Sequence, residues 1–209
     1  MTQLPDLAFE RGLWPHFVHV AGLDEAGRGA LAGPVAVGAV ILPGDDPHLS
    51  RTLACCRDSK QMTPLQRDRC APRIQAAALA WKVGFASAEE IDRMGIVFAT
   101  RLAAQRALAG LSLQPLYLLT DFRLELPESE LPQTSLVKGD ARCLSIAAAS
   151  VLAKTARDAL MVERGKRNPA YGWEKNKGYG TQAHRSALKR WGHSSEHRRS
   201  FVVKEWNDA

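Results

Sequence analysis

Long apolar runs, paired metal-binding cysteines, internal repeats and low-complexity linkers are all missing from these 209 residues. The longest uninterrupted apolar stretch near the start, Pro34 to Pro43, falls well short of the roughly 20 residues a helix needs to cross a bilayer. Met1 to Val18 contains no basic segment followed by an apolar core, so no secretory leader is expected. Together these absences predict a soluble, cytoplasmic protein with no membrane partner. The four cysteines are Cys55, Cys56, Cys70 and Cys143. None forms a C-x-x-C pair and no histidine follows at zinc-finger spacing, which excludes a zinc finger and predicts reduced thiols. Cys143 opens an apolar helical run and is expected to be buried.

Acidic residues are scarce in one region only. Residues 1–150 hold 15 Lys+Arg against 16 Asp+Glu, whereas residues 151–209 hold 13 against 6, so the whole net charge of +6 comes from the last quarter. A basic tail suits a polyanion such as nucleic acid, although a solvated basic surface has the same composition. With 45% hydrophobic and 24% charged residues the chain is long enough for one sizeable core.

Short β-leaning segments alternate with helical ones. Strands are expected at Val18–Leu23, Pro34–Leu42, Trp81–Ala86, Pro115–Thr120 and Thr134–Val137. Thr63-Pro64 opens a helix reaching about Leu79, with Thr as cap and Pro at the first helical position. Ser87 caps another, interrupted at Gly95 and closed by Gly110. Ser145 to Met161 forms an Ala-rich helix, and a last helix covers about Thr181 to Trp191. This alternation predicts an α/β fold with a central sheet covered by helices. Composition changes only after about Gly165, so the reading is one domain over 1–209, with 165–209 as a basic extension packed on it.

Four acids fall at or just beyond expected strand ends: Asp24 and Glu25, then Asp121, then Asp140. A single acid there is ordinarily a cap or turn former; two side by side at an apolar strand exit are harder to explain that way. Converging carboxylates repel one another unless a cation neutralises them. Hard oxygen donors suit Mg²⁺ or Mn²⁺ rather than zinc, and two such ions can hydrolyse a phosphodiester. The turn Gly27-Arg28-Gly29 through Gly33-Pro34 is one residue off a dinucleotide fingerprint and leads into a strand, not a helix, which excludes that reading. Its backbone amides are suited to a sugar or phosphate. Tyr179, among glycines and lysines, can stack on a base or sugar, or equally anchor its loop. Lys60 is an isolated cation after Asp58-Ser59.

Taken together, these segments resemble the type 2 ribonuclease H family, ribonuclease HII. The resemblance rests on Val20-Ala-Gly-Leu-Asp24-Glu25-Ala-Gly27-Arg28-Gly29 with Gly33-Pro34-Val35. It continues through Asp58-Ser59-Lys60, Lys138-Gly-Asp140, Ile146 to Lys154 with Arg157-Asp158, Gly178-Tyr179-Gly180-Thr181 with His184, and His197 to Phe201. It implies a ribonuclease H-like fold, with a mixed five-stranded sheet flanked by helices and a helical C-terminal portion. It implies an endonuclease that cuts RNA in RNA–DNA hybrids and nicks 5′ to single ribonucleotides in duplex DNA, leaving 3′-hydroxyl and 5′-phosphate ends, as a monomer. Asp24, Glu25, Asp121 and Asp140 would hold Mg²⁺ or Mn²⁺; Gly27, Arg28, Gly29, Lys60 and Tyr179 would meet the nucleic acid. One departure stands out: the family usually follows its third acid with Gly, whereas Phe122 follows Asp121 here, and Glu125 is the nearby alternative.

Overall fold

The structure, a computed structural model, describes residues 4–201. The last eight residues of the expected basic extension lie outside them. Five strands, β1 (Val20–Ala26), β2 (Val35–Ile41), β3 (Ala80–Ala86), β4 (Tyr117–Asp121) and β5 (Gln133–Leu136), form one sheet in the order β3-β2-β1-β4-β5. The β1–β2 and β2–β3 pairs are antiparallel, while β1–β4 and β4–β5 are parallel, so the sheet is mixed as expected. The helices are α1 (Ala8–Leu13), α2 (Leu49–Thr52), α3 (Pro64–Ala77), α4 (Ala88–Ala109), α5 (Leu144–Arg167), α6 (Trp173–Asn176) and α7 (Gln182–Trp191).

Side-chain alternation along the strands sorts them between two cores. Ala21, Leu23, Val35, Val37, Ala39 and Ile41 pack with Ile91, Ala99, Ala103 and Ala107 of α4 on one face. Val40 and Leu42 pack with α3 and with Ala147, Ala148, Val151 and Leu152 of α5 on the other. The α5 side is close-packed because β2 carries Gly38: a Cβ there would run into the Ala149 backbone. That approach draws α5 across the middle of the sheet and sets its later turns beside the acids.

Capping residues set the helix starts. Thr63 and Ser87 each make a reciprocal capping box, with Gln66 and Glu90 respectively, which satisfies two otherwise orphaned amides per helix. Gly95 breaks α4 with φ 81°, as its position implied. Other expectations need correction. Strand β1 runs through Ala26, so Asp24 and Glu25 lie on the strand rather than after it. Helix α5 continues to Arg167, six residues past Met161. The short helices α1, α2 and α6 span too few turns to show a periodic apolar face. The thiols also differ from expectation: Cys55 and Cys70 form a disulfide. Cys70 faces inward on α3 toward the loop after α2, and a separation of 15 residues is invisible to a search for C-x-x-C. Cys56 and Cys143 are free and buried. Among the described residues no helix is long and apolar enough to cross a membrane.

Candidate active site

Strand register brings the acids together. Strands β1 and β4 are parallel, with Leu23 opposite Thr120, so Asp24 and Asp121 stand side by side near the carboxyl ends of these strands, where ligand sites of α/β sheets gather. Strand β5 ends on that same side. Beyond it Lys138 takes a left-handed conformation (φ 55°) and starts the 3₁₀ turn Gly139–Ala141, which turns Asp140 back toward the other acids. The Gly139 amide donates to Asp121 Oδ1 at 2.8 Å and locks that turn onto β4.

One oxygen from each of Asp24, Glu25 and Asp121 lies within 4.8 Å of the others. Asp140 stands beside this trio and acts on Asp24 electrostatically. Burial pushes the Asp24 carboxyl well above its usual pKa; Glu25, Asp121 and Asp140 add to this, against a hydrogen bond from Ser150. Burial also raises Glu25, against the pull of Arg28. Asp140 is pushed up to about 6 by burial, then by Asp58 and Asp121. Glu25 Oε2 is buried without a hydrogen-bond partner. The resistance of Asp24, Glu25 and Asp140 to ionisation, together with the partnerless Glu25 oxygen, fits a cation. All donors are oxygens, which favours a hard divalent ion.

Two adjoining hollows of about 660 Å³ and 470 Å³ flank the acids, and Lys60 and Arg123 line both. Partial burial opposes the charge on Lys60, but Asp24, Asp140, Asp58 and Glu25 outweigh it and raise its pKa. The turn Gly27–Gly33 closes one side. Gly27 has φ 86°, and the Arg157 side chain fills the space a Cβ would need. Arg28 reaches the Arg123 carbonyl at 3.0 Å and Glu25 at 3.9 Å, and Gly29 is exposed on the rim. Tyr179 lines the same hollow, its ring 4.9 Å from Lys154 Nζ and 5.3 Å from the Arg157 guanidinium.

Phe122 does not disturb Asp121. Its amide donates to the Leu136 carbonyl at 3.0 Å and its side chain is 62% exposed. Lys138 and Lys177 are the only non-glycine residues with positive φ among those described, so position 122 needs no glycine. Glu125 is exposed beyond the turn and is not among the three clustered acids. Sequence reasoning missed Asp58, Arg123 and Ser150 at the acids, and it missed Lys154, Arg157 and Arg198 around the turn. Lys154 and Arg157 gave a signal in their i, i+3 spacing on α5, and all three, Arg198 included, stood within the motifs of the resemblance, which assigned them no role.

A ribonuclease H-like sheet with carboxylates gathered near the carboxyl ends of its parallel strands defines a nuclease acting on phosphodiester bonds. Residues 21–208 match the ribonuclease HII family, and the chain belongs to that family of endoribonucleases acting on RNA–DNA hybrids. It is 52% identical over 200 residues to ribonuclease HII of Synechococcus sp. (strain JA-3-3Ab), covering 95% of this chain and 88% of that one. It is 48% identical to the Thermus thermophilus enzyme, over 92% and 91% of the two chains. Its fold matches RNase HII of the PCNA:RNase HII complex from Archaeoglobus fulgidus with TM-score 0.73 and 26% identity, over 88% and 96%.

Proposed function

We propose that this chain nicks duplex DNA on the 5′ side of an embedded ribonucleotide as well as cutting RNA paired to DNA, with Asp24, Glu25, Asp121 and Asp140 holding Mg²⁺ or Mn²⁺. The observation that carries this is the convergence of three carboxylates within 4.8 Å, beside a hollow lined by Gly27, Arg28, Gly29 and Tyr179. Two bound ions would supply an activated water and charge stabilisation at the departing 3′ oxygen.

The remaining work falls to the chain itself. Arg198 takes the carbonyls of Gly27 and Arg28, which leaves the amides of that turn to meet a ribose 2′-hydroxyl. A site built to hydrogen-bond that hydroxyl penalises deoxyribose, because its polar partners are then left unpaired. Tyr179, steadied by Lys154 and Arg157, offers a face to the sugar next to the scissile bond. Lys60 and Arg123, between the two hollows, meet backbone phosphates. Every group in this set comes from one chain, so a monomer suffices.

The test is a labelled duplex carrying one ribonucleotide, incubated with Mn²⁺, Mg²⁺ or chelator. The expected result is a single nick leaving 3′-hydroxyl and 5′-phosphate ends, and only with metal. Salt-dependent binding without cleavage in any metal would overturn the reading.

A further inference from the structure

Three sulfurs meet away from the carboxylates. Cys56 Sγ lies 3.5 Å from Cys70 Sγ, which is itself joined to Cys55, and all three Sγ atoms fall within 4.8 Å of one another. Cys56 and Cys70 are buried, while Cys55 is half-buried at a cavity of about 190 Å³ also lined by Arg57, Arg69 and Arg73. This cavity shares no lining residue with the two hollows at the acids. A disulfide needs two cysteines, so the third has no part in it. Metal binding would displace the proton of this buried thiol.

We propose that, once reduced, Cys55, Cys56 and Cys70 form a trithiolate site for a soft d¹⁰ ion of the Zn²⁺ class, chemically distinct from the carboxylate site. A dithiol reductant delivers two electrons and two protons to the Cys55–Cys70 bond and is itself oxidised to a disulfide. That leaves three thiols; the ion displaces their three protons and forms three metal–sulfur bonds. Water entering from the Cys55 side completes four-coordination. Tetrahedral Zn–S bonds of about 2.3 Å place sulfurs roughly 3.8 Å apart, and the Cys56–Cys70 pair already stands at 3.5 Å. Three thiolates and a divalent ion carry one net negative charge, which Arg57, Arg69 and Arg73 offset. Thiolates prefer such an ion to Mg²⁺ or Mn²⁺, so the two sites sort metals by softness. Disulfide and ion exclude each other, and occupancy therefore follows the redox state. The site also closes the root of the loop that carries Asp58 and Lys60.

The experiment uses the full chain, reduced with dithiothreitol and desalted anaerobically, with Co²⁺ as optical probe. A thiolate-to-cobalt charge-transfer band saturating at a single equivalent and bleached by Zn²⁺ is expected. Asp24→Asn should keep the band, and air-oxidised protein should lack it. Cys56→Ser should lose it and bind roughly tenfold or more weakly, with circular dichroism confirming the fold. Cys55→Ser, at the half-buried position, is a second arm with the same expectation. No band in reduced protein, or its persistence in both serine variants, would overturn the proposal.

Discussion

Arg198 donates through Nη2 to the carbonyl of Gly27 at 2.8 Å, across 171 positions of chain. The same guanidinium takes the carbonyls of Arg28 and Gly33 at 2.9 Å each and is 1% exposed. Burial, with Arg157 nearby, pushes its pKa down to about 9. The cation is held by peptide dipoles, and a planar fork of donors suits three divergent carbonyls as a lysine ammonium does not. Arg198→Lys is therefore expected to destabilise the fold by about 2 kcal/mol, read as a lower urea midpoint. It should also lower kcat/KM on a single-ribonucleotide duplex by roughly tenfold, because the Gly27–Gly29 turn loses its anchor. A variant with wild-type midpoint and rate would show that the turn holds itself.

If the acids hold metal as proposed, they give up stability to do so. Asp24 is 3% exposed, and its burial beside Glu25, Asp121 and Asp140 opposes ionisation. Asp24→Asn removes the repulsion and the ligand together. In chelator, the variant should match or exceed wild-type stability by about 1 kcal/mol. Adding Mn²⁺ at a hundred times its dissociation constant should then stabilise wild type by about 2.7 kcal/mol and the variant by far less. Cleavage should be abolished while hybrid binding persists. Thermal melts with and without metal, run beside a cleavage assay, check all three outcomes.

Local chemistry made part of this legible in advance. Thr63 and Ser87 announced helix starts because a cap acts on amides two or three residues away. Gly95 announced a break, and the ordered motifs from Val20 to Phe201 pointed to the mixed sheet. What stayed hidden depends on distant chain. Asp24 and Glu25 read as residues beyond a strand because acids disfavour strands, yet pairing with Val37 and Gly38 of β2 keeps them in it. Cys70 meets Cys55 only once α3 docks. Arg157 and Arg198 stood in the matched motifs without an assigned role, because all their carbonyl partners but Lys177 lie 123 to 171 positions away. Phe122 looked like a threat to the third acid, and only its exposed side chain shows that it is not.

Glu90 gives a pH-dependent test remote from the site. It closes the Ser87 capping box and pairs with Arg106 through both oxygens. The Arg106 hydrogen bonds, then the Ser87 amide, lower its pKa to about 2. A depressed carboxyl stabilises the fold above its unfolded pKa and loses that contribution as pH falls through the folded one. The window therefore runs from about pH 4.5 down to about 2. Glu90→Gln keeps the cap, as Gln66 does at Thr63, and removes the charge. Because the pair is partly exposed, the expected loss at pH 7 is about 0.5–1 kcal/mol, with a flatter acid limb in denaturation.

The histidines beneath Tyr179 make a second acid-sensitive switch, set at higher pH than that of Glu90. The Tyr179 carbonyl can only accept, so His184 donates to it from Nδ1 at 3.0 Å. His184 Nε2 must then accept, and it receives Trp173 Nε1 and His197 Nε2, each at 3.1 Å. His197 Nδ1 in turn accepts the Ser194 amide at 2.9 Å. Both rings are thus neutral, and a proton added at His197 Nδ1 would face a donor. Burial, then His184 and His193, lower His197 to about 4. A depressed histidine stabilises the fold fully above pH 6.5 and loses that contribution as pH falls from there toward 4. Amide exchange at residues 178–184 should therefore accelerate below pH 6.5 relative to the sheet. His197→Asn, which cannot take up a proton in this range, should remove that pH dependence while lowering stability by about 1–2 kcal/mol. Exchange that stays flat from pH 7 to 4.5 in wild type would mean that this network does not hold the Tyr179 loop.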